Sequence, residues 1–165
     1  MKNLKYLFAA TILLIQGCGI YNFTGGNTGN ARTFQVDVFQ NNAPIIEPGL
    51  DRDFTLALQD VILNQTNLDL VPANGDLVYS GEIVDYRITP NSATADQTAA
   101  QNRLTIAVNV RFTNNSEADK DFERRFSFFF DFPAATPVDN IEDTAFEEIF
   151  DRLTQDIFNA SLANW

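Results

Sequence analysis

The sequence predicts a two-layer α/β sandwich of the α+β kind: two amphipathic helices on one face of a mostly antiparallel sheet of four to five strands. Two stretches, Leu50–Gln65 and Asn140–Asn164, repeat apolar residues at helical spacing. The segments between them alternate apolar and polar residues with period two, and Asn, Gly and Pro clusters interrupt them. Alternation with one apolar face is the mark of a sheet covered on one side only.

The chain opens with Lys2 and Lys5, an apolar run from Tyr6 to Ile15, and then Gln16-Gly17-Cys18. A cationic start, a short apolar run and a small residue before the cut make a secretory signal. The run is about half the roughly 20 residues that a membrane-spanning helix needs. Cleavage before Cys18 leaves a chain of about 148 residues, enough for one sizeable core. The expected organisation is a signal peptide over 1–17, a lipidated flexible tether over 18–32 and a single domain over 33–165. The tether is rich in Gly, Asn and Thr, as in Gly25-Gly26-Asn27-Thr28-Gly29-Asn30.

The first strand is expected over Phe34–Phe39, with Asn41-Asn42-Ala43-Pro44 breaking it and Pro48-Gly49 closing the loop. The helix that follows carries Leu50, Phe54, Ala57, Leu58, Val61 and Ile62 on one stripe, with Asp51 and Asp53 suited to its amino terminus. Leu68–Val71 reads as a short strand stopped by Pro72, and Asn74-Gly75-Asp76 as a turn. Leu77–Thr89 is a longer strand of mixed parity: Val78, Val84, Tyr86 and Ile88 share one face, and Leu77, Tyr79 and Ile83 the other. A bulge at Gly81 would reconcile them. Residues 90–101 hold no periodicity and read as a mobile loop, with a short helix as the alternative.

Arg103–Phe112 has the clearest pattern. Leu104, Ile106, Val108, Val110 and Phe112 face one way, and Arg103, Thr105, Asn109 and Arg111 the other. Phe122–Phe132 repeats it with Phe122, Phe126, Phe128, Phe130 and Phe132, and Phe129 interrupts its polar side. The two strands form a hairpin turned by Asn114-Asn115-Ser116. The last helix places Ile141, Ala145, Phe146, Ile149, Phe150, Leu153, Ile157 and Ala160 on its stripe, with an acidic run in its first half.

Composition narrows the chemistry. There is no histidine and one cysteine, so neither an intramolecular disulfide nor any His-based triad or metal cluster exists. No cofactor is expected. The net charge of −11 falls to about −13 once Lys2 and Lys5 are removed, which disfavours nucleic-acid binding and charge-driven adhesion to anionic lipid. Asp119, Asp121 and Glu123 lie beside Lys120, Arg124 and Arg125 and read as a solvated hairpin rather than an acid/base pair. Asp51 and Asp53 start no calcium loop. Arg87, Arg103, Arg111 and Arg125 stand on strands in a strongly acidic chain. Their ordinary role is local ion pairing, and the sharper one is bidentate contact with phosphate of a glycolipid or with a partner.

Ile15-Gln16-Gly17-Cys18 resembles a bacterial lipobox, which implies lipid on the Cys18 sulfur and a third acyl chain on the freed amine. Each buried methylene contributes about 0.8 kcal/mol, so two or three chains hold stably where one does not. Cys18-Gly19-Ile20-Tyr21 with Phe23-Thr24-Gly25, Phe39-Gln40-Asn41-Asn42-Ala43, Gly81-Glu82-Ile83 with Tyr86, Asn102-Arg103-Leu104-Thr105-Ile106, and Asp156-Ile157-Phe158-Asn159 with Ala163-Asn164-Trp165 together resemble the LptE family of lipopolysaccharide-assembly lipoproteins. The order of elements, lipobox then β-α-β-β-β-β-α, agrees. The resemblance implies a non-enzymatic outer-membrane lipoprotein that plugs the barrel LptD from its periplasmic side, aids its assembly and in some members binds lipopolysaccharide. It places lipid on Cys18 and suggests Arg103 or Arg111 as the basic strand residue. The negative charge departs from the last expectation, because carboxylates within a Debye length of about 8 Å repel lipid A phosphates. The alternative is a generic envelope lipoprotein that scaffolds or binds a ligand unrelated to lipopolysaccharide export.

Overall fold

A computed structural model describes residues 26–91 and 100–163 of the chain. The signal peptide, Cys18 and the part of the expected loop over 92–99 lie outside the described residues.

Strand β1 (Thr33–Val36) and the two-residue β2 (Gln40–Asn41) lead into helix α1 (Leu50–Gln65). The short β3 (Asp69–Leu70) follows, then β4 (Leu77–Asn91), β5 (Gln101–Asn114), β6 (Phe122–Pro133) and helix α2 (Glu142–Leu162). The sheet runs β3-β1-β4-β5-β6, with β2 joined to β4 beyond β1. The fold class is the expected one, with six strands rather than four or five. The long ladders β4–β5 and β5–β6 are antiparallel, while β1–β3, β1–β4 and β2–β4 are parallel. The parallel pairs arise where α1 intervenes, because a helix returns the chain to the end of the sheet from which it started.

Both helices lie on one face. Phe54 of α1 meets Phe39 edge-on at 5.0 Å and Phe150 of α2 at 5.6 Å. Tyr79 reaches up from β4, its hydroxyl 2.9 Å from the Ser161 hydroxyl. Burial drives that phenol's pKa well above the usual tyrosine value. The left-handed turn at Gly49 (φ 87°) starts α1, and Asp51 and Asp53 sit in its first turn.

Several sequence expectations change. Alternation in the first strand stops at Val36: Val38 is 65 % exposed and Phe39 is fully buried. Asn41 does not break the strand but belongs to β2, beside Ile83. Positions 90, 91 and 101, expected in a loop, extend the β4–β5 ladder. The bulge in β4 falls at Val84 rather than Gly81. In α2, Ala160 is exposed, while the i+4 row Phe146, Phe150, Thr154, Phe158 and Leu162 packs inward. Thr154 is tolerated in that row because its hydroxyl donates to the Phe150 carbonyl at 2.7 Å.

Residues 26–32, expected as part of the tether, are held to the domain. Asn27 N donates to Leu162 O at 2.7 Å, and Ala31 is buried in the core. Asp76 accepts from the amides of Arg32 (2.9 Å) and Thr33 (3.0 Å) and from the Thr33 hydroxyl. Those bonds hold the Asp76 carboxyl below the usual aspartate range.

Gly81 has a packing reason to be glycine. A Cβ there would run into the Asn109 carbonyl and the Phe39 ring. Gly81→Ala must spread β4 from β5 or expel Phe39, and is expected to destabilise the domain by about 1–3 kcal/mol, read as a lower urea midpoint.

Candidate functional site

The helix-free face of the sheet gathers the polar strand positions. In register across β4, β5 and β6 it carries Thr89–Arg103–Asp131, Arg87–Thr105–Phe129, Asp85–Ala107–Ser127, Glu82–Asn109–Arg125 and Ser80–Arg111–Glu123. The Val84 bulge makes this set possible. Before it, odd residues of β4 face the helices; after it, even residues such as Tyr86 and Ile88 do. The extra residue therefore turns Asp85 and Arg87 onto the open face.

All four arginines expected as contacts stand on this face, and each meets a carboxylate. Arg103 grips Asp131 with two nearly parallel bonds, Nε to Oδ1 at 2.7 Å and Nη2 to Oδ2 at 2.8 Å. Its guanidinium also lies 3.6 Å from the centre of the Phe129 ring, so the aromatic that interrupted the polar side is covered by a cation. Asp85, nearly buried, bridges two arginines: Arg87 Nη1 at 2.7 Å and Arg125 Nη2 at 3.4 Å. Arg125 spans β5 to reach it, and the intervening position is Ala107, fully covered although it lies on the face without helices. A larger residue there would obstruct the span. Arg111 pairs more openly with Glu123 at 3.1 Å, both side chains more than 60 % exposed.

Beside this last pair, a depression of about 290 Å³ is lined by Gln40, Ser80, Glu82, Asn109, Arg111 and Glu123. It is shallow, polar and open. The surface is suited to lie against another polar surface rather than to enclose a small substrate.

The structure also accounts for the hairpin carboxylates. Asp121 accepts from the Asn114 amide at 2.7 Å and holds the β5–β6 turn, and Glu123 is engaged by Arg111. Asp53 pairs with Arg52. Among the described residues, no group of three or more His, Cys, Asp or Glu is placed to hold a metal ion.

The carboxylates Asp85 and Asp131 were not singled out from sequence. Asp85 is two residues from Arg87, so a parity argument could have put them together. Asp131 could not be matched to Arg103, because that requires the register across the connection between β5 and β6.

The LptE lipopolysaccharide-assembly model matches residues 31–161, which span the sheet and both helices. The chain belongs to this family. No curated protein matches the sequence. Solved structures share the fold at low identity. A hypothetical protein from Chlamydia trachomatis has a TM-score of 0.54 and 11 % identity over 81 % of this chain and 99 % of its own. Lipoprotein B from Nitrosomonas europaea has a TM-score of 0.50 and 14 % identity over 86 % and 88 %. The PelC dodecamer from Paraburkholderia phytofirmans has a TM-score of 0.50 and 10 % identity over 84 % and 94 %. These likenesses establish the fold alone. Among the described residues of this LptE-family chain, no helix is long and apolar enough to cross a membrane.

The Arg103–Asp131 pair has a pH signature. Arg103's hydrogen bonds, assisted by Asn91, hold the Asp131 carboxyl below the usual aspartate range. A carboxyl depressed on folding contributes stability at pH values above its unfolded pKa and loses it as pH falls through the folded value. Asp131→Asn is therefore expected to lower the urea midpoint at pH 7, with the difference from the parent chain closing as the pH is taken below about 4.

Proposed function

We propose that the chain is a lipid-anchored, non-catalytic protein of the outer membrane that plugs and helps assemble an LptD-type barrel for lipopolysaccharide transport to the cell surface. The observation that carries the reading is the family match over residues 31–161, which covers all of the α/β core but Leu162. The helix-free sheet face supports it: ion-paired, polar and shallow, it suits a hydrophilic barrel lumen better than lipid tails. Cys18, which follows the apolar run and Gln16-Gly17, is the proposed point of lipid attachment.

Direct lipopolysaccharide contact is the weaker component of the proposal. Arg87, Arg103, Arg111 and Arg125 are each engaged by a carboxylate, so a lipid A phosphate would have to displace Asp85, Asp131 or Glu123. A pair whose polar groups are already matched gives little net gain on exchange. Plugging requires no such exchange.

Affinity capture of the tagged full-length chain in mild detergent is expected to bring down a large β-barrel, identified by mass spectrometry. Recovery of the chain with no barrel in any fraction overturns the reading. Separately, Cys18→Ser is expected to abolish the acyl mass increment that intact-mass spectrometry reads on the purified parent chain, since the Cys18 sulfur is the proposed site of attachment. A parent chain without acyl mass on Cys18 would refute the anchor.

A further inference from the structure

The sheet ends differently on its two sides. One edge is the two-residue β3, while the other is the twelve-residue β6. Among the described residues no strand pairs with the outer side of β6. Long unpaired edges are templates for strand addition.

The backbone direction along this edge follows from the ladder. Ala134 N donates to Ala100 O at 3.0 Å, which extends the β5–β6 pairing by one position. Antiparallel bonding alternates, so the even residues of β6 turn their N–H and C=O toward β5. Glu123, Arg125, Ser127, Phe129 and Asp131 turn theirs outward. Pro133, with no N–H to offer, ends the edge.

We propose that β6 pairs with β6 of a second copy of this chain, antiparallel, about a two-fold axis through Phe128. The register follows from charge. With the axis at Phe128, Arg125 stands opposite Asp131 of the second copy, and symmetry repeats the pair. Arg125 is held only at 3.4 Å by Asp85 and Asp131 keeps Arg103, so two attractive cross-strand contacts add to those pairs on the open face without exchanging them. Moving the axis to Ser127 sets Glu123 against the second copy's Asp131, a repulsive pairing, and leaves Arg125 opposite Phe129. Moving it to Phe129 sets Arg125 against Pro133 and leaves the charges unmatched. The Phe128 register also engages the full strand.

On the helix side the same axis brings Phe128 against its symmetry mate and Phe126 against Phe130. These phenylalanines are half-buried within one copy, so pairing removes more apolar surface from water. The outward amides supply the main-chain hydrogen bonds, and the flanking charges choose the register.

The pairing is a property of the chain alone and does not rest on the barrel reading. Full-length chains carrying two different tags are expected to capture one another in mild detergent, with no other protein present. Ser127→Pro removes an outward N–H at the centre of the edge and leaves the β5–β6 bonds in place. It is expected to abolish capture while circular dichroism and the thermal midpoint stay near those of the parent. Arg125→Asp and Asp131→Arg each create two like-charge contacts and should reduce self-capture at least about tenfold. Mixing these two variants restores both opposite-charge pairs and should restore capture, a recovery that misfolding of either variant cannot produce. Absence of capture between parent chains, undiminished capture by a folded Ser127→Pro variant, or no recovery on mixing each overturns the proposal.

Discussion

One extra residue in β4, Val84, decides what the two faces of the sheet carry. Side chains alternate strictly along a strand, so a strand of fifteen residues without a bulge would put Asp85 among the helices and Tyr86 in water. The bulge reverses that. Tyr86 joins the core near Phe146, while Asp85 reaches the open face and gathers Arg87 and Arg125. The helix-facing side of β4 is thereby apolar along most of its length, and the opposite side can be ion-paired.

The ion pairs on that face explain how so acidic a chain accommodates its strand arginines. A guanidinium on a half-covered sheet needs acceptors, and the register supplies them within one or two strands. Asp85 is nearly inaccessible, and Arg87 and Arg125 give it two ion-pair partners there. Arg103 gains a bidentate carboxylate and an aromatic ring together. The outcome is a patterned but internally satisfied surface: no side-chain polar atom buried among the described residues lacks a hydrogen-bond partner. Such a surface is suited to meet a large polar partner, and less suited to surrender its arginines to a phosphate.

The outer strand obeys a different constraint. β6 has only one sheet neighbour among the described residues, and α2 shields its phenylalanines in part. Its centre, Phe126–Phe130, is apolar apart from Ser127, while the charges stand toward its ends. Charges and a terminal proline commonly discourage edge pairing. Here their positions relative to the strand's midpoint make them self-complementary in one register and mismatched in the neighbouring ones.

Both helices, the long strands and the one-sided sheet were legible in the sequence, because periods of 3.6 and 2.0 are local properties of the backbone. The absence of histidine and the single cysteine excluded whole classes of chemistry without any structure. Local pattern could not locate the bulge. Gly81 was the reasonable choice by residue type, but Gly81 is glycine because Phe39 and the Asn109 backbone crowd it, and those contacts come from other elements. Nor could it show that residues 26–32 dock on the domain, or that Ala160 faces water while Phe158 packs inward. The four arginines were recognisable as strand residues, but not their carboxylates. Asp131 meets Arg103 and Arg125 reaches Asp85 only through strand register, which depends on turn geometry and on burial across the whole sheet. Sequence determined which residues could be amphipathic and charged; tertiary structure decided which charges meet, because pairing between strands is a long-range property.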